Sequence, residues 1–164
     1  MLFKKNTKVG IIGYGKMGKL HARGYLNCGC KIVGIFDNYI YCENILKFKS
    51  IKDLAKNVDI ISVCSPSSTH YDILKEIIPF KKAIIVEKPM VSNQKQCESI
   101  VNLCKKYKPY ISIGHIERFN CVFQDFLKYL PEIGCIKKIK SVRINPCSNT
   151  VSYTHLTLPT ICSV

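Results

Sequence analysis

The residues most able to do chemistry near the amino terminus are Gly13-Tyr14-Gly15-Lys16-Met17-Gly18, a G-x-G-x-x-G triplet. Glycines at that spacing suit a main chain that must approach a phosphate. Gly13 would make a tight turn, Gly15 would let a pyrophosphate reach the backbone, and Gly18 would let a helix pack closely on a strand. Lys16 and Met17 would open that helix, whose free N–H groups and positive dipole end attract anions. Asp37 lies nineteen residues after Gly18. A carboxylate there accepts hydrogen bonds from ribose hydroxyls and repels a 2′-phosphate, which favours NAD over NADP. Such triplets also arise by chance, so an ordinary strand–helix turn and a turn aspartate are the plain alternatives. Three further strings carry polar residues at the ends of apolar runs: Cys64-Ser65-Pro66-Ser67-Ser68-Thr69-His70, Glu87-Lys88-Pro89 and Gly114-His115-Ile116-Glu117-Arg118-Phe119-Asn120.

Elements that could position these residues follow from apolar patterning. Lys8–Gly13, Cys30–Asp37, Asp59–Cys64, Lys82–Val86 and Tyr110–Gly114 are short β-branched runs that predict buried strands, and Leu46–Phe48 predicts one more short strand. Helices are expected over Lys16–Leu26, from Ser50 (a capping box with Asp53) through Lys56, over Thr69–Ile78, from a Ser92 cap to Tyr107, and over Cys121–Tyr129 before Pro131. Strands alternating with helices predict an α/β, Rossmann-type doubly wound parallel sheet. Ile136–Asn145 predicts a lone strand opening a second α+β domain. Only 22 residues separate Asp37 from Asp59, so the crossover between them is abbreviated. The glycine triplet then sits in its required context, after a strand and opening a helix.

With these strings taken together, the sequence resembles the Gfo/Idh/MocA family of sugar and polyol oxidoreductases over residues 8 to 149. Glu87-Lys88-Pro89 is the most specific element, and the G-H-x-E-R-F-N string resembles the family's UDP-N-acetylglucosamine 3-dehydrogenase-like branch. The resemblance implies that Ser65, Pro66 and His70 line the nicotinamide–ribose side of a bound NAD, and that Glu87 bonds a cofactor ribose or orients its neighbour. It implies that Lys88 is catalytic and reaches the substrate hydroxyl whose carbon loses hydride. Pro89 would fix the backbone after it and can carry a cis bond. A cationic lysine beside a forming alkoxide stabilises that charge, and one with a lowered pKa can relay the proton. His115 and Arg118 are candidates for contact with substrate or cofactor phosphate, an arginine fork being suited to a diphosphate. Pairing of Arg118 with Glu117 and local capping by His70 are the structural alternatives. The resemblance also implies a homo-oligomer, and a second domain whose aspartate–histidine pair would supply the general base. The expected division is a dinucleotide-binding domain over 1–120 and the start of a substrate domain over 121–149.

Composition narrows the remaining classes. Lys and Arg outnumber Asp and Glu 25 to 11 in 164 residues, a net charge of +14. The lysines are scattered and lack aromatic interleaving, so no nucleic-acid face is expected. The ten cysteines include no C-x-x-C pair, which argues for reduced thiols and against a metal. No stretch reaches membrane-spanning length, and a cytoplasmic enzyme is expected. Residues 150–164 contain no Lys, Arg, Asp or Glu. The string VSYTHLTLPT matches the translation of a transposon-derived sequencing adapter, so this tail is expected to be artefactual. A stand-alone NAD(H)-sensing module without chemistry is the competing class, and Glu87-Lys88-Pro89 argues against it.

Overall fold

A computed structural model of the chain describes residues 6–139. The apolar runs form five parallel strands: β1 (Lys8–Ile12), β2 (Lys31–Phe36), β3 (Ile60–Val63), β4 (Ala83–Val86) and β5 (Tyr110–Ile113). Their order is β2-β1-β3-β4-β5. The chain therefore leaves β1 toward one edge and, after β2, returns past β1 to build the other side. That reversal places a crevice between the carboxyl ends of β1 and β3, where open α/β sheets bind ligands. Helices α1 (Lys16–Asn27), α2 (Ile51–Lys56), α3 (Ser67–Ile77) and α4 (Gln94–Tyr107) make the connections, with short 3-10 turns at Ile78–Phe80 and Ile116–Phe119. One unit ends at Asn120 and a second begins at Cys121 with α5 (Cys121–Ile133).

The period-2 alternation of the strands divides the core into two faces. Ile12, Ile61, Val63, Ile84 and Val86 pack with Leu54, Leu74, Ile77 and Ile100 on the side of α2, α3 and α4. Val9, Ile11, Ile35 and Ile60 pack with Ala22 and Tyr25 on the side of α1. Helix α1 buries Gly18, Ala22 and Tyr25, a spacing that keeps one face on the sheet. Two of the three are small, so the helix axis lies close to β1. By the same parity Ser62 and Glu87 fall on the α1 face, in phase with Ile60 and Ile85.

Several expected elements are shorter or capped differently. Leu46–Phe48 is not a strand but a single parallel bridge between Lys47 and Ile35. With ten residues between Phe36 and Lys47 and no helix among them, the crossover is too short to lay a further strand along β2. Helix α4 is capped by Asn93, not Ser92; the Asn93 side chain accepts the Gln96 N–H at 3.0 Å, and the Ser92 N–H donates to Gln96 Oε1 at 3.0 Å. Helix α5 runs through Pro131 to Ile133 instead of ending before the proline. In the last turn a missing N–H removes only one helical bond. The Ser50–Asp53 capping box forms as expected, with Asp53 N donating to Ser50 Oγ at 3.1 Å. Ile136–Ile139 carry no regular secondary structure, and the rest of the strand expected there, with the tail from residue 150, lies outside the described residues.

Candidate functional site

The glycine loop is built around two close approaches and one open position. Gly13 has φ +85°, and a Cβ there would lie 2.5 Å from Ser65 N and 2.6 Å from Ser65 Cα. Only glycine allows this loop to touch the one leaving β3. A Cβ on Gly18 would run into the Gly13 carbonyl oxygen, so that glycine sets the contact of helix on strand. Gly15, the N-cap of α1, is different: a Cβ there would meet no atom within 4 Å. The free space at Gly15 lies directly before the first turn of α1, where the leading N–H groups of a helix have no intrahelical partner.

Asp37 stands at the exit of β2 and is held by the backbone. Its Oδ2 accepts the Tyr14 N–H at 2.8 Å, and its Oδ1 accepts those of Tyr39 at 2.9 Å and Ile40 at 2.8 Å. Burial works to raise the carboxyl pKa, but these N–H groups and the Lys47 charge outweigh it and hold Asp37 below the ordinary carboxylate range. A carboxylate offers about four acceptor positions, so three donors leave one for a further donor. Beside it an open cleft of about 370 Å³ is lined by Phe36, Asp37, Asn38, Lys47, Phe48 and Lys49.

The β3 and β4 exits are tied to each other by His70. This residue was expected to line a cofactor pocket, but it is 1% exposed, with Nε2 2.9 Å from the Ser65 carbonyl oxygen and Nδ1 2.8 Å from that of Pro89. Both ring nitrogens lie within hydrogen-bond distance of backbone carbonyls, and a neutral ring, with a single N–H, donates to one of the two. Ser65 remains at the loop surface, its hydroxyl accepting from Thr69 Oγ1 at 2.8 Å, and Pro66 is the N-cap of α3.

Glu87 turns inward. Its Oε1 lies 3.0 Å from His21 Nε2, and its Oε2 accepts the Lys88 N–H at 3.3 Å. His21 Nδ1 in turn lies 2.7 Å from Ser62 Oγ. Lys88 is exposed on the carboxyl edge of the sheet, and the Lys88–Pro89 bond is cis. His115 and Arg118 are exposed after β5, in and beside the turn at Ile116–Phe119. The neighbouring Glu117 accepts from Asn120 Nδ2 at 2.9 Å.

His21 and Ser62 were not singled out from the sequence, yet the signal was there. Ser62 is the lone hydroxyl in the buried run Ile60–Val63, and a buried hydroxyl requires a partner. His21 follows Gly18 by three residues and so lies on the same face of α1. Burial raises the Cys64 thiol to about 12, opposed by its hydrogen bond with Ser62, and raises the Tyr25 hydroxyl to about 12, again opposed by Ser62. The cysteines of the described residues are free thiols, and no group of three or more His, Cys, Asp or Glu among those residues could hold a metal ion.

Residues 7–115 match the Gfo/Idh/MocA family, described as an oxidoreductase family with an NAD-binding Rossmann fold. The chain belongs to that family. Among Gfo/Idh/MocA relatives it is 25% identical over 139 residues to UDP-N-acetylglucosamine 3-dehydrogenase of Acidithiobacillus ferrooxidans, an alignment covering 79% of this chain and 42% of that protein. It is 23% identical to inositol 2-dehydrogenase of Rhizobium meliloti, covering 90% of this chain and 48% of the relative. The solved structure of the Acidithiobacillus enzyme superposes with a TM-score of 0.68 at 24% identity, over 79% of this chain and 44% of that one. A dehydrogenase structure from Clostridium difficile gives a TM-score of 0.66 at 29% identity, over 76% of this chain and 44% of that one. The chain thus spans less than half the length of these relatives. No helix among the described residues is long and apolar enough to cross a membrane.

Proposed function

We propose that this chain supplies the cofactor-binding half of a dehydrogenase acting on a hydroxyl of a sugar or nucleotide sugar, with NAD used in preference to NADP. The observation that carries the reading is the open position at Gly15, framed by the two close glycine contacts and set on the same sheet edge as Lys88. Gly15 and the N–H groups of Lys16 and Met17 would hold the pyrophosphate. Asp37 would take an adenosine ribose hydroxyl with its remaining acceptor position and oppose a 2′-phosphate, and Ser65 and Pro66 would border the nicotinamide ribose. The cofactor would supply the hydride acceptor. Lys88 would hold the substrate hydroxyl and stabilise the charge that grows as its proton leaves. His115 and Arg118 would contact substrate on the neighbouring strand exit.

This assignment divides labour between two halves, the second being what the relatives carry beyond the matched region. It also includes a dinucleotide-binding domain over 1–120 and the start of a substrate domain over 121–149. Support for a sugar substrate comes from the UDP-N-acetylglucosamine and inositol dehydrogenases among the relatives, together with the exposed lysine at the strand edge.

Calorimetric titration of the chain with NAD and NADH tests the proposal. Wild type should bind both, and Gly15→Val should abolish binding while leaving the circular dichroism spectrum unchanged, because the added side chain enters open space. Equal affinity in the folded variant would remove the loop from the cofactor site.

A further inference from the structure

The α1 face of the sheet carries a polar network that the assigned roles do not use. Ser62 is fully buried, and the His21 and Glu87 side chains are 18% and 12% exposed. An ionised carboxylate only accepts, so His21 Nε2 carries the proton donated to Glu87. In the neutral ring Nδ1 then accepts from the Ser62 hydroxyl. Tyr25, one turn along α1, packs edge-on against the imidazole with ring centroids 6.4 Å apart. Gly114 completes the enclosure: a Cβ there would lie 2.8 Å from Glu87 Oε1. Residues from α1, β3 and the exits of β4 and β5 therefore converge on one carboxylate.

A serine, a histidine and a glutamate in hydrogen-bonded series could suggest nucleophilic hydrolysis. Ser62 has no exposed surface, so no acyl group can reach it. The arrangement is instead suited to holding Glu87 still. Its second oxygen takes the N–H of Lys88. The position of the Lys88 main chain is thereby referred to α1, the helix whose first turn borders Gly15.

We propose that His21 is a positioning residue: by bridging Ser62 and Glu87 it fixes the carboxylate that holds the Lys88 backbone, and so aligns the lysine with the glycine loop. The importance of that alignment for turnover rests on the reading of Lys88 given above, while the alignment itself does not. With His21 removed, Glu87 loses its buried donor and Lys88 N–H loses a fixed acceptor. Glutamine can place an amide N–H near the position of Nε2 and so can keep the bond to Glu87.

Nuclear magnetic resonance of the isotopically labelled chain tests this without any turnover assay. The ring nitrogens of His21, assigned by their loss in His21→Gln, should shift in both Glu87→Gln and Ser62→Ala. The Lys88 amide should shift in His21→Ala and return toward its wild-type position in His21→Gln. Unchanged ring signals in Glu87→Gln would overturn the proposal. So would a Lys88 amide that stays in place in His21→Ala, or one displaced equally in His21→Gln. If His21→Ala does not fold, the Ser62→Ala ring shift and a Lys88 amide retained in His21→Gln decide the matter, with their absence counting against it. Parallel NADH titration of wild type keeps the two readings apart: failure to bind removes the cofactor assignment and leaves the His21–Glu87 coupling standing.

Discussion

The two ends of the proposed cofactor crevice are held together by different means. At the β3 and β4 exits, besides short-range bonds such as that of Lys88 N–H to Glu87, three contacts join residues far apart in sequence: His21 with Ser62, His21 with Glu87, and His70 with Pro89. At the β2 exit two of the three bonds to Asp37 come from Tyr39 and Ile40, within three residues of it. The first region is a product of tertiary folding, with buried polar groups that must stay paired. The second is a turn that closes largely on itself. A site that must place a reacting atom needs the first kind of rigidity, whereas one that grips an adenosine tolerates the second.

The largest expected effect falls in the long-range region. Gly18→Ala would press a methyl group into the Gly13 carbonyl, and overpacking against backbone costs about 1–3 kcal/mol. Urea unfolding should show a clearly lowered midpoint with an unchanged slope. A wild-type midpoint would mean that α1 does not rest on the loop as described.

Alkali should reach the same region next. Burial holds the Cys64 thiol and the Tyr25 hydroxyl at about 12, above their ordinary values of 9.0 and 10.0. Groups whose folded pKa is raised contribute stability that is complete below the unfolded value and is lost as pH climbs toward the folded one. The melting temperature should therefore fall progressively as pH rises above 9. Cys64→Ala should flatten the early part of that fall, and an unaltered profile would remove the thiol from the buried set.

Asp37 tests the locally closed region and should give a smaller change. Asp37→Ala removes one acceptor for three partly solvated N–H groups, and about 1 kcal/mol of stability should be lost. The sign of its pH dependence is opposite to that of Cys64. A depressed folded pKa gives stability that is present above the ordinary carboxylate value of 3.8 and is lost as pH falls through the folded one. Acid titration of wild type should show that loss, and the variant should lack it. The smallest effect is expected at Tyr39, which is 94% exposed: Tyr39→Ala should alter stability by less than about 0.5 kcal/mol. A larger cost would show that the turn is tied into the fold after all.

The same contrast explains how much was legible in the sequence. Strands such as Ile60–Val63 and helices such as α1 follow from patterning because each buries a face of predictable period. The glycine loop was legible because Gly13 and Gly18 are needed for steric reasons that only glycine meets. The role of His70 was not legible, since a histidine at the start of a helix gives no sign of a carbonyl nineteen residues away. Glu87 was legible as part of Glu87-Lys88-Pro89, but its contact with His21, sixty-six residues away, emerged only once β3 and β4 lay side by side. Asn93 displaced Ser92 as a cap because both are good caps, and one residue of helix phase decides between them. The missing strand at Leu46–Phe48 reflects chain length, which limits a β-favouring run to a single bridge with Ile35.

That unformed strand has a consequence for association between molecules. An edge strand offers unpaired N–H and C=O groups to any other extended chain. Along β2 the two groups of Ile35 are already taken, its N–H by the Leu46 carbonyl and its carbonyl by the Phe48 N–H, both at 2.8 Å. Gly34 is so closely covered by Leu46 and Phe48 that even a methyl group would not fit. A short segment that carries Lys47 and is followed by Lys49 thus acts as a plug: a second copy could extend the sheet at this edge only by first prising Leu46–Phe48 away.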